Sequence, residues 1–192
     1  MALSGVIGLT RRAAIDGQVI EACRQGDREA FRQVFDAYRD RVFSLALHLA
    51  GSEAAAKDVT QQVFLTLFTR AREFRGDAQL TTWLYRLAIN ASIDERRRQR
   101  RLVPVEVAPV AVERTLPEDA LRRRELAEKV RAALERLSPK LRVVVVLKHL
   151  EGLSYDEMAQ LLGCSPGTVA SRLNRGHKAL ARALAHLEGE TD

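Results

Sequence analysis

The chain has 192 residues, enough for two compact domains of ordinary size. Hydrophobic residues at 46% and charged residues at 29% are typical of a globular protein, while aromatic residues at only 5% favour helix over sheet. The net charge of +6 comes from arginines that are clustered in the sequence, and this clustering indicates a polyanionic partner. The widely separated Cys23 and Cys164 support neither a disulfide framework nor a zinc site. Because no apolar run is long enough to cross a bilayer and no signal peptide is recognisable, we expect a cytoplasmic protein without metal or cofactor.

The N-terminal half has the pattern of a helical bundle. We predict a disordered tail over 1–15 and a helical domain over 16–101. Apolar residues recur at helical spacing from Asp27 to Gly51, where glycine is expected to end the first long helix. The same spacing predicts a second helix near Glu53–Phe74 and a third from about Gln79 to Arg101.

A change of composition marks a linker over 102–119. This stretch has three prolines, and four acids against one arginine give it a local charge of -3. Val and Ala alternate from Val103 to Val112 as in a strand, but two prolines and the lack of a partner strand argue against one. Helical pattern resumes at about Pro117, and we predict a second domain over 120–188.

The second domain carries the signals of a helix-turn-helix. Ser138-Pro139 is a helix start, and Ser154 with Glu157 has the spacing of a capping box. Gly163 ends that short helix, and Ser165-Pro166 begins the next. Two helices joined by a tight turn, with small or apolar residues where they cross, predict a DNA-binding motif.

One face of the last predicted helix suits the major groove. Thr168, Ser171, Arg172 and Arg175 lie at i, i+3, i+4 and i+7, opposite the apolar face that contains Val169. The segment from Ser165 to Arg182 is basic, includes Lys178 and has no acid, which favours contacts to phosphates and base edges. The alternative is a solvated basic face on an ordinary helix.

Two faces of the N-terminal domain are also candidate binding surfaces. On the second helix Asp58, Gln61, Gln62 and Leu65 share a face that either docks a protein or is merely solvated. On the third helix Trp83, Arg86, Asn90 and Arg97 follow at helical spacing into an arginine-rich end, an arrangement that suits single-stranded or melted DNA. Trp83 fits core packing equally well, and Asp94 near this stripe would repel phosphate.

The motifs in both halves of the chain resemble those of a known protein family. The segments DVTQQVFLTLF and FRGDAQLTTWLYRLAINASIDERRR resemble region 2 of the extracytoplasmic-function (ECF) sigma factors in the bacterial sigma-70 family. The segment LSPKLRVVVVLKHLEGLSYDEMAQLLGCSPGTVASRLNRGHKAL resembles their region 4. The resemblance implies an all-α fold with a region 2 helical bundle and a region 4 helix-turn-helix, joined by a flexible linker.

The resemblance also implies partners, which are core RNA polymerase, promoter DNA and an anti-sigma factor. The residues implied for the minus-35 element are Ser165, Thr168, Ser171, Arg172, Arg175 and Lys178. Those implied for melting and reading the minus-10 element are Arg75, Gly76, Asp77, Ala78, Gln79, Trp83, Tyr85, Asn90, Arg97 and Arg98. Those implied for the polymerase are Asp58, Gln61 and Gln62 on the β′ clamp helices, and Leu141, Val145 and Lys148 on the β flap. Gln62 and Ala170 depart from the Glu and the basic residue that the family usually has there.

Two other classes of function are weighed against this one. A stand-alone repressor or activator would use the helix-turn-helix without polymerase. An enzyme such as a nuclease or recombinase would need a nucleophile or a metal-binding carboxylate cluster, and the pattern contains neither. The sequence therefore predicts a transcription initiation factor that is not an enzyme.

Overall fold

The computed structural model describes residues 17–74, 79–101 and 118–189, and within them every regular element is a helix. The first module, residues 17–101, contains α1 (Gly17–Gln25), α2 (Arg28–Ala50), α3 (Glu53–Arg70) and α4 (Leu80–Arg101), with a short 3-10 turn at Ala71–Glu73 after α3. The second module, residues 118–189, contains α5 (Glu118–Glu135), α6 (Pro139–Leu150), α7 (Tyr155–Leu162) and α8 (Pro166–Gly189).

The ends of α2 follow from two residues. The Asp27 side chain accepts hydrogen bonds from the backbone N–H groups of Glu29 and Ala30 and so caps the helix start. At the other end Gly51 has a φ of 97°, a left-handed conformation that glycine adopts without steric cost. Its N–H donates to the carbonyl of Leu47, which terminates the helix where the sequence predicts.

The helix-turn-helix is built from local signals as well. Ser154 accepts from the N–H of Glu157, and the Glu157 side chain accepts from the N–H of Ser154, forming the predicted capping box of α7. Gly163 ends α7 with a φ of 61°. Ser165 then accepts from the N–H of Thr168 at 3.2 Å and starts α8. The turn between α7 and α8 is therefore fixed by a left-handed glycine at one end and by the Ser165 side chain at the other.

The helices of each module pack on one another, and the two modules share one hydrophobic core. In the first module α2, α3 and α4 pack on each other, with α1 against α2. In the second, α8 packs on α5, α6 and α7. The modules also touch directly, α2 against α5 and α6, and α4 against α7. Their buried apolar side chains accordingly form one continuous cluster.

Most predicted elements are present, with differences at the ends. The second predicted helix stops at Arg70 instead of Phe74, because the chain tightens into the 3-10 turn. Helix α1 was not predicted, since its nine residues are too few for a clear period. The predicted tail at 1–15 and the linker through residue 117 lie outside the described residues. Among the helices described, none is both long and apolar enough to span a membrane.

Candidate nucleic-acid and polymerase interfaces

Helix α8 separates an apolar face from a basic one. Val169 and Leu173 are buried in the core of the second module, whereas Ser171, Arg175 and Lys178 are exposed. Thr168 and Arg172 are half-buried at the edge of the same basic face. Arg175 donates from Nε to the carbonyl of Ser171 at 3.3 Å, so its guanidinium is held against the helix rather than against an acid. The predicted minus-35 residues, with the exposed Ser165, thus share one side of the helix.

The residues predicted to contact the minus-10 element lie in two different environments on and beside helix α4. Gln79, Asn90, Arg97 and Arg98 are exposed, as a DNA contact requires. Trp83 is half-buried against Phe74, with ring centroids 5.6 Å apart, so the indole is both a packing residue and partly accessible. The predicted loop residues Arg75, Gly76, Asp77 and Ala78 lie outside the described residues.

Tyr85 is buried and contacts the second module. Its side chain is only 2% exposed, and its hydroxyl donates a hydrogen bond to the carboxylate of Glu151. Burial, followed by the charge and hydrogen bond of Glu151, raises the pKa of Tyr85, so the phenol stays protonated. In this conformation the Tyr85 side chain faces protein and is not presented to DNA.

Helix α3 exposes the residues predicted to meet the polymerase. Asp58, Gln61 and Gln62 are all exposed, while Val59 and Val63 on the opposite side are buried in the bundle. Gln62 donates weakly to Thr66 at 3.4 Å. The guanidinium of Arg98 lies 3.9 Å from the Asp58 carboxylate, which connects the end of α4 to this face.

The exposed polar face of α3 continues into an apolar patch, and only part of this patch is predicted from the sequence. Leu65 and Phe68 are each 54% exposed, and Phe35 on α2 is 37% exposed. The Phe35 ring meets Phe64 edge-on at 4.7 Å, and Arg39 lies over the Phe35 ring at 5.7 Å. Helical spacing from Leu65 could have identified Phe68, three residues later, but only the fold brings Phe35 of α2 against Phe64 of α3.

The residues of α6 that were predicted to meet the β flap lie in differing environments. Val145 is 3% exposed and packs on Gly176 of α8, so its side chain is not available to a partner in this conformation. Leu141 is half-buried at the same crossing. Lys148 donates to the carbonyl of Leu153 at 3.2 Å and lies 5.5 Å from the centre of the Tyr155 ring. This face of α6 is thus largely occupied by its own module.

A cleft of about 660 Å³ lies between the modules. Apolar side chains such as Ile89, Ile93 and Leu162 line part of it, and the described residues that line it include no acid. The cationic side chains that line it are Arg86, Arg96, Arg97, Lys140, Arg142 and Arg172. Asn90 also lines the cleft, so predicted readers of both promoter elements face one space.

Comparison with known proteins accounts for both modules. The family model described as "Sigma-70 region 2" matches residues 34–102, and that described as "Sigma-70, region 4" matches residues 127–180. The first match lies on the helical bundle that carries the candidate surfaces of α3 and α4. The second lies on the module that contains the helix-turn-helix.

Two similar proteins are described as ECF sigma factors. The ECF RNA polymerase sigma factor SigW of Bacillus subtilis is 31% identical over 179 residues, covering 88% of this chain and 96% of SigW. The ECF RNA polymerase sigma-E factor of Escherichia coli K12 is 32% identical over 176 residues, covering 86% of this chain and 92% of its own. Sigma factors are not enzymes, and these likenesses extend over nearly the whole of both relatives.

Solved structures show the same fold. CnrH, in complex with the cytosolic domain of CnrY, superposes with a TM-score of 0.66 at 25% identity, covering 88% of this chain and 96% of CnrH. The sigma factor RpoE of Bartonella quintana, in complex with the anti-sigma factor NepR, superposes with a TM-score of 0.65 at 22% identity, covering 82% of this chain and 98% of its own. Family models, relatives and fold agree with the predicted resemblance, and the chain belongs to the sigma-70 family as an ECF sigma factor.

Proposed function

We propose that this sigma factor binds core RNA polymerase and directs it to promoters that it reads with two modules. Region 4, residues 120–188, reads the minus-35 element through α8, and region 2, residues 16–101, reads and melts the minus-10 element through α4. The observation that carries the proposal is the acid-free basic face of α8, because it opposes a buried apolar face and points out of a capped helix-turn-helix.

The chemistry of the two surfaces differs as the two tasks require. Arg172 and Arg175 are long cationic donors that suit guanine edges and phosphates in a duplex. Trp83, Asn90 and Arg97 combine an aromatic face, an amide and a cation, which suits bases unstacked from a melted strand. No bond is made or broken by the protein, because capture of unpaired bases offsets the cost of unstacking them. Linking the two contacts raises the affinity above that of either one.

The polymerase-binding face is centred on α3. Exposed Asp58, Gln61 and Gln62 supply polar contacts to the β′ clamp helices, and the neighbouring Leu65 and Phe68 supply apolar area. A large exposed apolar patch with a polar rim is typical of a protein interface, which supports this assignment. The contact of region 4 with the β flap then uses the α6 surface around Leu141 and Lys148, and Val145 takes part only as its support.

An anti-sigma factor is the further partner that we propose. The cleft between the modules is lined by both apolar and cationic side chains, which suits an amphipathic helix with acidic residues. CnrH, which has a similar fold, was solved in complex with a cytosolic protein domain. Such regulation takes place in the cytoplasm, where we place this chain.

Run-off transcription tests the proposal. Core RNA polymerase is assayed with and without the protein on DNA from the region upstream of its own gene. We expect initiation at a defined start site only when the protein is present, and a loss of that transcript with Arg172→Ala or Trp83→Ala. A stand-alone regulator would instead bind the duplex without engaging polymerase, and that result would reject the proposal.

A further inference from the structure

Two histidines from distant parts of the sequence meet on the surface of region 4. His149 on the last turn of α6 and His177 on α8 are separated by 28 positions, and both are exposed. Their Nε2 atoms lie 2.9 Å apart, and their ring centroids lie 5.1 Å apart with the ring planes at 57° to each other. The four histidines of the chain are scattered along its length, so only the fold brings these two together.

The backbone beneath the two histidines is held in place by close packing. His149 lies one helical turn after Val145 on α6, and His177 directly follows Gly176 on α8. Val145 packs on Gly176 where the two helices cross. Leu173, one turn before His177, is buried in the same core. Each imidazole therefore projects from a helix whose position is fixed, and rotation of the side chain alone adjusts its direction.

The contact between the two rings shows that at least one Nε2 atom lacks a proton. A ring nitrogen donates only when it is protonated and accepts only when it is not, so His149 and His177 cannot both be imidazolium while this bond exists. Neutral imidazole is the commonest metal ligand among side chains. The neighbouring Lys148 donates to the carbonyl of Leu153 at 3.2 Å, so its ammonium group has a partner of its own. The two rings thus supply a pair of nitrogen ligands for a cation.

The distance between the two nitrogens favours one class of metal ion. With metal–nitrogen bonds of about 2.0–2.1 Å, two ligands at a right angle are about 2.9 Å apart, whereas two ligands of a tetrahedral ion are about 3.3–3.4 Å apart. The 2.9 Å between Nε2 of His149 and Nε2 of His177 fits the right angle. Square-planar or tetragonal coordination by nitrogen and oxygen is typical of Cu²⁺ and Ni²⁺. The spacing therefore favours these two ions over the tetrahedral Zn²⁺.

The two histidines supply only part of a coordination sphere. In the part of the chain that the structure describes, no group of three or more His, Cys, Asp and Glu side chains could hold a metal ion. Both rings are exposed, so water is available for the remaining positions of the ion. Helical periodicity puts His177 almost opposite Arg172 and Arg175 on α8. An ion bound here would link α6 to α8 and leave the basic face uncovered.

We propose that His149 and His177 form a site for a divalent transition metal ion, Cu²⁺ or Ni²⁺, which links α6 to α8. The Nε2 proton between the rings moves through solvent to Nδ1 of the same ring, so that both Nε2 lone pairs face the ion. This site goes beyond the proposed function and does not depend on it. It differs from the expectation of a chain without metal, because spacing along the sequence does not reveal a pair that is formed by the fold.

Metal titration of the full chain, purified without an affinity tag, tests the proposal. Isothermal titration calorimetry with NiCl₂ and with CuCl₂ in a non-coordinating buffer measures the stoichiometry and the Kd. His149→Gln and His177→Gln each remove one ligand and keep a side chain that can form hydrogen bonds. His186→Gln changes another exposed histidine of α8 and is the matched control. Cys164→Ser tests whether the half-buried thiol binds the ion instead.

We expect the wild type to bind one ion per chain. Each of the variants His149→Gln and His177→Gln should bind at least about 10- to 100-fold more weakly, the loss that follows even when a group that only orients a metal ligand is removed. At an ion concentration about 100-fold above the Kd, the Tm of the wild type should rise by about 5–10 °C and that of these two variants by less. His186→Gln and Cys164→Ser should behave as the wild type does.

Three results would overturn the proposal. One is a wild-type Kd weaker than about 1 mM for both ions. Another is unchanged binding in either His149→Gln or His177→Gln, and the third is loss of binding in Cys164→Ser. Without metal, His149→Gln and His177→Gln should melt within about 2 °C of the wild type, because substitutions at exposed positions change stability little. Weaker binding in these variants then measures the lost ligand and not a lost fold.

Discussion

Gly176 of α8 lies directly against Val145 of α6, so closely that a Cβ at position 176 would be 2.7 Å from Val145 Cγ2. The same Cβ would be 3.4 Å from the carbonyl oxygen of Leu141. The two helices can approach this closely only because residue 176 has no side chain. This contact sets the position of α8, and with it the direction of the basic face that we propose for the minus-35 element.

Gly176→Ala should therefore destabilise region 4. Val145 is β-branched and buried, so it cannot rotate away, and overpacking of this kind costs about 1–3 kcal/mol. Urea denaturation followed by circular dichroism measures the change. Gly167→Ala is the matched control, because a Cβ there would meet only Ser165 Oγ at 3.9 Å, and alanine in a helix is favoured by about 0.5–1 kcal/mol. Equal stability for the two variants would refute the role assigned to the glycine.

The helix ends were predictable from the sequence because their causes are local. Asp27 and Gly51 bracket α2, and Ser154 and Glu157 open α7, as their residue types and spacing indicate. The basic face of α8 was predictable too, since helical periodicity alone puts Arg172 and Arg175 on one side.

The interface between the modules was not predictable in this way. Tyr85 and Glu151 are separated by 66 positions, and nothing in the spacing of either residue indicates that they meet. Arg142 stands at the start of a helix, where a charged residue is ordinarily solvated, yet it is buried and bonded to carbonyls of two other segments of chain, the end of α2 and the stretch at and after the end of α5. Tertiary packing determines the burial of both residues. The sequence pattern places Tyr85 among the proposed DNA contacts, although its side chain is buried and the other described members of that set are exposed or half-buried.

Arg172→Ala should weaken recognition of the minus-35 element specifically. Loss of one bidentate contact to a base edge costs about 1–3 kcal/mol, which corresponds to about 5- to 150-fold in discrimination. Competition between matched and mutated minus-35 sequences in polymerase–promoter binding measures it. Arg182→Ala, also exposed on α8 but outside the proposed set, is the control and should weaken binding to both sequences alike. Discrimination that survives Arg172→Ala would show that base reading occurs elsewhere.

Asp58→Arg should weaken binding to core RNA polymerase. The residue is exposed on the proposed clamp face, and reversal of its charge replaces an acceptor with a bulky cation in a contact made by polar groups. A loss of about tenfold in affinity, or about 1.4 kcal/mol, is the expected scale and is measurable by titration of labelled sigma factor with core enzyme. Asp40→Arg makes the same change at an 86% exposed position of α2 and should have little effect. Equal losses for both variants would argue for a general charge effect.

His48 should make the fold less stable in mild acid. Its Nδ1 lies 2.8 Å from the carbonyl oxygen of Ser44, and burial, opposed in part by that hydrogen bond and reinforced by Arg131, lowers the pKa of the imidazole. The unfolded chain then binds a proton more readily than the folded one. The stability that His48 contributes is present above about pH 6.5 and is lost as the pH falls through the lower folded pKa.

The pH dependence is measured as the difference between the wild type and His48→Gln. Between about pH 7.5 and about pH 5 the wild type should lose more free energy of unfolding than the variant, since glutamine does not titrate. The other histidines are present in both chains and cancel in the difference. A parallel pH profile for the two proteins would mean that His48 is as easily protonated in the fold as in the unfolded chain.

The central claim is that one chain binds two promoter elements and melts one of them while it is bound to polymerase. Footprinting of the complete complex tests it most directly, with DNase I to detect protection and permanganate to detect unpaired thymines on the same promoter fragment. The account predicts protection around the minus-35 element that Arg172→Ala removes, together with reactive thymines at the minus-10 element that Trp83→Ala removes, both only when core enzyme and sigma factor are present. Protection by the sigma factor alone, with no permanganate-reactive thymines after polymerase is added, would contradict it.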